Sequence, residues 1–458
     1  MTTSYTPSGK KALVVGLGDT GAACVAWLRA EGAEVRATDS RAAPPHAGRV
    51  AAAHPDVKLT VGGFDAADFA WADLIVVSPG VALATPEIQA ALAAGKDVAG
   101  DVELFARAVA GSPAKVIAIT GANGKSTVTS LAGHLCAAAG LDTVVAGNIG
   151  LPVLDALAAR AGRAPDVWVL ELSSFQLETT ASLRPTAATV LNISEDHMDR
   201  YASLADYAAA KARVFSAGLQ VLNRDDPLVM AMARPGAEIE TFGLAAGAGA
   251  TEWGIVSQDG RRWLARGGEC LFPVDALPIT GLHNAANALA ALALCRAVGL
   301  TDAAMLAALP TFKGLAHRVE FVAEVAGRRF YDDSKGTNVG ATAAALKGFT
   351  VPVVLIAGGD GKGQDFTPLR DAVANTRAVV QIGRDGPLVE AAIAGACPVY
   401  RAETMPEAVA RAYALSQPGD AVVLSPACAS WDMFRNYAHR AEVFIAAVRA
   451  LPEPPRVP

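Results

Sequence analysis

Short apolar segments recur along almost the whole chain, and stretches of helical character separate them. Typical examples are "ALVVGLG", "KVIAITG", "DVWVLELSS" and "PVVLIAGGDG", and most of these segments end in Gly, Ser, Asp, Asn or Glu. This alternation is typical of parallel β-strands connected by helices, whose functional residues lie at the carboxyl ends of the strands. The sequence therefore predicts an α/β protein whose site residues directly follow its strands.

The chain divides into three blocks. Its 458 residues exceed what one hydrophobic core usually serves, and "KVIAITGANGKST" and "AHRVEF" start the second and third blocks. We predict three domains, with boundaries at residues 1–107, 108–314 and 315–458. In the middle domain an Asp259-Gly260 turn lies between residues of alternating polarity, which predicts a small antiparallel hairpin.

Composition limits the classes of ligand. Lys and Arg number 39 against 45 Asp and Glu, so no basic excess is available to neutralise a nucleic-acid backbone. Gly, Pro or a charge interrupts every apolar run before it reaches membrane-spanning length, and no export signal is visible. The six cysteines form no C-x-x-C pair, which suits a reducing compartment. We therefore expect a soluble, cytoplasmic, monomeric protein that binds small molecules, with no nucleic-acid partner and no membrane insertion.

The first block begins with a glycine-rich turn. The segment from Val14 to Asp39 runs from a strand through Gly16-Leu17-Gly18-Asp19-Thr20-Gly21 into a helix, and an acidic residue ends the next strand. This spacing approximates the dinucleotide fingerprint, in which a diphosphate lies at a helix N-terminus and the acidic residue, here Asp39, binds the ribose. A diphosphate ligand follows from this pattern, and a nicotinamide dehydrogenase is one interpretation of it.

"ITGANGKST" predicts a phosphate-binding loop between a strand and a helix. The backbone N–H groups and the helix N-terminus can surround phosphate oxygens, Lys125 can reach the β- and γ-phosphates, and Ser126 can hold Mg²⁺. The spacing departs from the usual loop, because Ile119 stands where a glycine is expected. The predicted phosphate contacts are Gly121, Asn123, Gly124, Lys125, Ser126 and Thr127.

Three polar residues of the middle block are candidates for metal chemistry. Glu171 ends a buried strand, where a carboxylate would bind Mg²⁺ or cap the next helix. His197 in "NISEDHMDRY" would ligate a metal or remain a solvated loop residue. Lys211 in "YAAAK", taken alone, is typical of a surface helix residue. The sequence leaves these alternatives open.

Other polar clusters follow in the middle and third blocks. In "GLHNAANALAALAL", Asn284 and Asn287 could contact the edge of a purine, or Asn284 could cap the helix. "DDSKGTN", "GGDGKGQD" and "SPACASWDMFRNY" carry lysines and hydroxyls after apolar strands. Such groups suit an anionic substrate such as an amino acid with two carboxylates, and solvated loop lysines are the alternative.

Taken together, these motifs resemble the Mur ligase family of peptidoglycan synthesis, in the same order and over essentially the whole chain. "TGANGKST", "ELSSFQLE", "EDHMDRY", "HRVE", "DDSKGTN" and "SPACASWDMF" look most like the family member that adds D-glutamate. The resemblance implies a Rossmann-like N-terminal domain, a central P-loop ATPase-like domain with a small antiparallel sheet, and a Rossmann-like C-terminal domain. It also implies that catalysis requires the third domain to close.

The implied reaction is an ATP-dependent amide ligation through an acyl phosphate, with UDP-N-acetylmuramoyl-L-alanine and D-glutamate as substrates and Mg²⁺ as cofactor. The matching positions give Lys125, Glu171, His197 and Lys211 catalytic roles, and Ser126, Glu171, His197 and a carbamylated Lys211 the metal. Asn284 and Asn287 match the adenine contacts, and Arg318 matches a phosphate contact from the third domain. The positions matching the D-glutamate pocket are Lys335, Thr337, Lys362, Ser430 and Tyr437, the last of which is Phe in some relatives.

The resemblance gives the N-terminal turn a different ligand from NAD, namely the UDP part of the sugar substrate. The implied UDP-sugar contacts are Gly18, Thr20, Asp39, Ser40, Arg41, Ser78, Gly80, Asn148, Ser173 and Gln176. Three alternatives remain at this point: another Mur-type or folylpolyglutamate-type ligase, a dehydrogenase that uses the N-terminal fingerprint, and a non-catalytic nucleotide-binding regulator.

Overall fold

The computed structural model describes residues 5–279, 281–349 and 351–451, which form three β-sheets covered by helices. This arrangement confirms the predicted α/β class and three-part architecture. The helices of the described residues include none that is both long and apolar enough to cross a bilayer.

The first sheet is entirely parallel and has the strand order β3-β2-β1-β4-β5. Its central strand is buried at every position but the first, and the order reverses beside it, which places a ligand crevice at its carboxyl end. The strands are β1 Lys11–Val15, β2 Glu34–Asp39, β3 Lys58–Val61, β4 Leu74–Val77 and β5 Asp97–Ala99. The helices are α1 Asp19–Ala30, α2 Ala47–Ala53, α3 Ala66–Trp71, α4 Pro86–Ala93 and α5 Asp101–Ala108.

The second sheet joins a parallel part to a small antiparallel part. Its strands are β6 Lys115–Thr120, β7 Thr143–Gly147, β8 Val167–Glu171, β9 Ala187–Val190, β10 Leu219–Asn223, β11 Ile239–Phe242, β12 Glu252–Gln258, β13 Arg261–Arg266 and β14 Glu269–Pro273. They lie in the order β14-β13-β12-β11-β10-β9-β6-β8-β7. The predicted hairpin is confirmed, because β12 and β13 pair antiparallel around a turn in which Asp259 and Gly260 both have positive φ.

Seven α-helices in the described residues accompany this second sheet. They are α6 Lys125–Ala138, α7 Val153–Ala159, α8 Ser174–Glu178, α9 Leu204–Ala212, α10 Pro227–Met230, α11 Leu282–Ala297 and α12 Asp302–Ala308. The phosphate-loop helix α6 packs against α11, and both contribute to a buried core rich in Ala and Leu. This packing brings the start of α11 beside the phosphate loop.

The third sheet has the order β15-β16-β20-β17-β18-β19 and is parallel except for the first pair. Its strands are β15 Glu320–Val325, β16 Arg328–Asp332, β17 Val353–Gly358, β18 Thr376–Ile382, β19 Val399–Arg401 and β20 Ala421–Leu424. Its helices are α13 Val339–Lys347, α14 Leu369–Ala372, α15 Gly386–Ala392, α16 Met405–Leu415 and α17 Tyr437–Arg449. The hairpin of β15 and β16 is a feature that the sequence analysis did not predict.

The first two domains share a continuous apolar core. Helix α5 packs against α7, and the ring of Phe105 meets the ring of Trp168 edge to face at 5.0 Å. The apolar clusters of the third domain contain residues of that domain alone. The predicted boundary at residue 107 falls within α5, the helix that packs across this junction. Both this boundary and the one at residue 314 stay predictions.

Candidate active site

The phosphate loop connects β6 to α6 and depends on a glycine at its end. Gly124 has φ +85°, and a Cβ there would lie 2.5 Å from Oδ1 of Asn287, so a larger residue would be strained and would clash. The ammonium of Lys125 donates hydrogen bonds to the carbonyls of Gly121 and Ala122, both at 2.9 Å. Burial lowers the pKa of Lys125. A free helix N-terminus with a lysine at its first turn is a binding site for anions.

Glu171 lies at the end of β8 with 2% of its surface exposed. Its Oε1 accepts a hydrogen bond from Nδ2 of Asn148 at 2.8 Å, while its buried Oε2 has no hydrogen-bond partner in the described residues. Glu171 does not cap the next helix, because Ser173 and Gln176 form a capping box at the start of α8. An unpartnered buried carboxylate oxygen is costly, and a divalent cation would satisfy it.

His197 and Asp196 lie in the loop after β9. His197 is half-buried against the ring of Phe175, with the two ring centroids 4.8 Å apart. Burial lowers the pKa of His197, and the opposing charge of Asp196 does not restore it. The ring is therefore neutral near pH 7, which is the form that binds a metal. The structure does not support the alternative of a fully solvated histidine.

Lys211 is buried, with 1% of its surface exposed, although sequence alone suggested a surface position. Its Nζ lies 3.4 Å from Oγ1 of Thr120 and 4.5 Å from the ring centroid of Tyr207. Burial, followed by the nearby charge of Lys125, lowers the pKa of Lys211 well below its usual value. The amine thus loses its proton more readily than a surface lysine does.

Asn284 and Asn287 line a 460 Å³ cavity beside the phosphate loop. Nδ2 of Asn287 donates to Oδ1 of Asn284 at 3.1 Å. Helix α11 begins after Gly281, so Asn284 lies within the first turn and not at the N-cap position. The position beside the loop is suitable for the base of a nucleotide.

Residues of the second and third domains enclose a cavity of 240 Å³. Nη2 of Arg318 donates to Oγ of Ser126 at 3.4 Å, and Nζ of Lys335 lies 3.8 Å from the ring centroid of Tyr437. Burial, followed by the charge of Arg318, lowers the pKa of Lys335 to about 8. Lys125, Glu171 and Asp196 line the same cavity, so cations from two domains meet two carboxylates there.

Lys362 also belongs to this cavity, but its ammonium forms an ion pair across the domain junction. Its Nζ lies 2.5 Å from Oδ1 of Asp196. Burial would raise the pKa of Asp196, but Lys362 and His197 outweigh this effect and lower it. The carboxylate is therefore ionised and holds the third domain against the second.

A cavity of 850 Å³ lies where the first sheet meets the second domain. Asp39, which resembled a ribose ligand, instead accepts hydrogen bonds from the backbone of Leu17 and from Arg41. A Cβ on Gly21 would lie 1.8 Å from the carbonyl oxygen of Gly16, so the turn requires glycine. The occupied carboxylate of Asp39 disfavours the dehydrogenase interpretation.

The structure brings most of the sequence-predicted residues together around three cavities that share lining residues. The 850 Å³ cavity is lined by Gly18, Thr20, Asp39, Ser40, Arg41, Ser78, Gly80, Asn148 and Gln176. The 240 Å³ cavity is lined by Asn123, Lys125, Ser126, Asn148, Glu171, His197, Arg318, Lys335, Thr337, Lys362, Ser430 and Tyr437. A third cavity, of 200 Å³, contains Asn148, Ser173, His197 and Lys211. Asn148 lines all three, so they meet at its side chain.

Some lining residues were not predicted from the sequence. Arg49, Leu151 and Asp155 line the 850 Å³ cavity, and Trp431, which is 71% exposed, lines the 240 Å³ cavity. Arg49 and Asp155 lie on helices without a recognisable motif, so no local signal marks them. Trp431 lies within "SPACASWDMF". A large aromatic side chain is normally expected to be buried, so no signal in the sequence indicated its exposure.

One compact group of three possible metal ligands occurs elsewhere among the described residues. It consists of His317, Glu320 and Asp332 at the start of the third domain. Nδ1 of His317 lies 2.6 Å from Oδ2 of Asp332, and its backbone N–H donates to Glu320 at 2.8 Å. These groups already satisfy one another, whereas Oε2 of Glu171 has no such partner in the described structure. Glu171 is therefore the better candidate for a cation.

The fold and the site define a nucleotide-binding protein in which a phosphate-loop domain lies between two Rossmann-like domains. Sequence models of three domain types match the chain: the Mur ligase MurD-like N-terminal domain at residues 10–100, the Mur ligase middle domain at 119–295, and the Mur ligase glutamate ligase domain at 317–428. These matches together span most of the chain, which belongs to the Mur ligase family.

Full-length relatives and a solved structure agree with this assignment. The chain is 58% identical to a UDP-N-acetylmuramoylalanine--D-glutamate ligase from Thiobacillus denitrificans, over 97% of each chain. It is also 58% identical to the protein of the same name from Chromobacterium violaceum, over 96% of this chain and 97% of the relative. MurF from Acinetobacter baumannii has the same fold, with a TM-score of 0.60 at 18% identity over 98% of this chain and 92% of that one.

Proposed function

We propose that this protein is an ATP-dependent ligase that adds D-glutamate to UDP-N-acetylmuramoyl-L-alanine through an acyl-phosphate intermediate in peptidoglycan synthesis. The observation that carries the proposal is the position of Asn148, where a pocket large enough for a sugar nucleotide meets the phosphate-loop and amino-acid cavities. The full-length relatives that carry this activity in their names support the choice of substrates. We expect a cytoplasmic monomer.

ATP would bind with its phosphates at the N-terminus of α6 and its base beside Asn284 and Asn287. Lys125 and Arg318 would contact the γ-phosphate from two domains, which screens the charge of the attacking carboxylate. This arrangement requires Lys125 to exchange its bonds to the loop carbonyls for bonds to phosphate.

The residues present fit Mg²⁺, because Glu171 offers a carboxylate oxygen without a partner in the described part of the chain, and Ser126 and His197 line the same cavity. When bound, the cation would neutralise charge on the transferring phosphoryl group. Asn148 would hold Glu171 in place through Oε1, which leaves Oε2 to the cation.

Lys211 is the proposed site of carbamylation. A deprotonated amine attacks the carbon of CO₂ and releases a proton, which leaves an anionic carbamate. The burial that lowers the pKa of Lys211 favours the deprotonated amine. An anion at this position, near His197, would extend the ligand set for a second cation.

D-glutamate would bind between the third domain and the phosphate loop. Lys335, Thr337, Ser430 and Tyr437 line the cavity there, and Lys362 would contribute a further cation if it shares its bond to Asp196. The two carboxylates of the amino acid suit the two lysines.

The chemistry proceeds in two displacements. A carboxylate oxygen of the L-alanyl group attacks the γ-phosphorus of ATP, and ADP leaves. The amine of D-glutamate then attacks the acyl carbon, inorganic phosphate leaves, and the amine loses a proton. Closure of the third domain would exclude water from the acyl phosphate, which hydrolysis would otherwise waste.

Phosphate release with defined acceptors tests this proposal. Purified protein with ATP, Mg²⁺ and UDP-N-acetylmuramoyl-L-alanine should release phosphate with D-glutamate, and far less with L-glutamate, L-alanine or a diamino acid. Activity with a different pair of substrates would instead indicate another Mur-type or folylpolyglutamate-type ligase, which the relatives do not favour. ATP binding without phosphate release on any acceptor would indicate a non-catalytic regulator.

A further inference from the structure

Arg200 connects the second domain to the first. It lies three residues after His197, and its Nη2 donates to the carbonyl of Val81 at 2.8 Å. Its Nη1 donates to the carbonyl of Pro79 at 3.3 Å. Both carbonyls belong to the loop after β4, and this loop lines the 850 Å³ cavity. One side chain of the histidine loop therefore fixes the backbone of the sugar-nucleotide pocket.

The face of the same guanidinium makes a second contact. Its carbon lies 4.4 Å from the ring centroid of Phe175, and that ring packs against His197. Phe175 also stacks on Tyr201, with the centroids 5.9 Å apart, and Tyr201 meets Tyr207 at 5.3 Å. A chain of aromatic rings thus leads from Arg200 to His197 and, through Tyr207, to Lys211.

The two contacts suit arginine in particular. A planar guanidinium can donate hydrogen bonds at its edge while its face lies on an aromatic ring, whereas a lysine ammonium cannot do both. The side chain of Arg200 is 19% exposed. Within the described residues it forms one ion pair, with Glu178, whose Oε2 lies 3.9 Å from Nη2. Most of the donor capacity of Arg200 is therefore directed at the junction.

We infer that Arg200 is a positioning residue that couples occupancy of the sugar-nucleotide pocket to the placement of His197 and Lys211. The edge of the guanidinium holds the loop at residues 79–81, and its face holds Phe175 and hence His197. This inference rests on the proposed function, because it assumes that the large cavity binds the UDP-sugar and that His197 and Lys211 serve the reaction.

The test compares Arg200→Ala and Arg200→Lys with a matched control, Arg213→Ala. Arg213 is a more exposed arginine that likewise donates to two backbone carbonyls, those of Leu177 at 2.7 Å and Thr180 at 2.8 Å. Both of its acceptors lie in the second domain, so this control removes comparable bonds without touching the junction. Steady-state constants, the Mg²⁺ concentration for half-maximal rate and the thermal midpoint are measured for each protein.

We expect Arg200→Ala to raise the KM for the UDP-sugar and to lower kcat, each by about tenfold, which is a typical coupling between two sites. The KM for D-glutamate should stay within about twofold, because the hydrogen bonds and the ion pair of Arg200 in the described part of the chain all join it to the first two domains. Arg200→Lys should recover the KM for the UDP-sugar in part, through one retained donor, while kcat stays low. Arg213→Ala should lower the thermal midpoint alone.

Calorimetric titration with UDP separates this inference from the proposed function, because it needs no turnover. If the wild-type protein binds UDP but fails to ligate D-glutamate, the proposed function fails, and weaker UDP binding by Arg200→Ala still supports the structural link. If both Arg200 variants behave like Arg213→Ala, with unchanged constants and a lower midpoint, the coupling role is overturned.

Discussion

The two domain junctions of this protein differ in whether an apolar core crosses them. Between the first and second domains, Phe105 and Trp168 are buried in a core that extends through both domains. Between the second and third domains, the contacts are polar, and they include Lys362 with Asp196, Arg318 with Ser126, and Asn338 with Asp196. The first junction thus combines this apolar core with polar contacts such as those of Arg200, whereas the second encloses the 240 Å³ cavity.

This difference separates a fixed binding surface from a movable one. Opening the first junction would expose large apolar surface, at a cost of about 25 cal/mol per Å². Polar groups of the second junction regain water when the domains part, so their net contribution is small. We therefore expect the sugar-nucleotide pocket to be preformed, and the amino-acid pocket to form when the third domain closes.

The largest expected effect concerns the reactive cavity at the polar junction. Lys125→Ala should reduce ligation by about 10³-fold or more, because it removes a cation at the transferring phosphoryl group. The thermal midpoint should change little. Lys115→Ala is the matched control, since Lys115 begins β6, the strand before the phosphate loop, and its Nζ donates to the carbonyl of Val298. Phosphate release measures both variants, and normal turnover by Lys125→Ala would contradict the assigned role.

The next effect would break the apolar junction. Phe105→Ala should destabilise the first two domains by about 3–5 kcal/mol, because it leaves a cavity in a fully buried site. Denaturant unfolding followed by tryptophan fluorescence measures this loss. Phe321→Ala is the comparison, because this ring of the third domain is 54% exposed and its removal should cost about 0.5 kcal/mol. Equal losses in the two variants would show that the shared core does not fix the junction.

Lys362→Ala should weaken the polar junction without unfolding a domain. We expect the KM for D-glutamate to rise by about 10–100-fold, as when a charge-assisted hydrogen bond is lost. Small-angle scattering should show a larger radius of gyration, because Asp196 no longer holds the third domain. Arg411→Ala, which breaks an exposed pair with Glu407 on α16, should change neither quantity. A compact variant with an unchanged KM would argue against closure by this ion pair.

The smallest effect is a pH dependence that only the polar junction should show. Lys335 has a pKa of about 8, so its positive charge is present below pH 8 and is lost as the pH rises through this value. Between pH 7 and 9 the KM for D-glutamate should rise by up to about tenfold. Lys335→Arg keeps its charge over this range and should flatten the profile. The KM for the UDP-sugar should vary much less, and parallel profiles for both substrates would remove the distinction.

Much of the fold could be predicted because its signals are local. Strand periodicity and the Asp259-Gly260 turn depend on neighbouring residues, and both were confirmed. The phosphate loop was also recognisable. A strand, a glycine-rich turn and a lysine at the start of a helix follow one another within a short segment, and this order is typical of phosphate-binding loops. The hairpin of β15 and β16 was missed, since "EFVAEVAGRRFYDD" has no strong turn pair, and Ala326 and Gly327 provide the positive φ instead.

The candidate site was predictable as a set of residues but not as a set of contacts. Lys211 looked like a surface residue on its helix. It is buried against Thr120 at the end of β6 and Tyr207, which lies one turn earlier on α9. Asp39 resembled a ribose ligand, yet its carboxylate is occupied by Arg41 and the backbone of Leu17. Which molecules the site residues bind stays a prediction, to be tested by the variants above.

The amino-acid sequence by itself determined the strands, the phosphate loop and the family, because each depends on spacing within a short segment. The tertiary structure alone decided which charged groups meet. Asp196 and Lys362 stand 166 positions apart, and Arg200 reaches a loop about 120 positions earlier in the chain. No local pattern encodes such pairs. They form only when the three sheets pack together, and burial then removes water from the charged groups that meet.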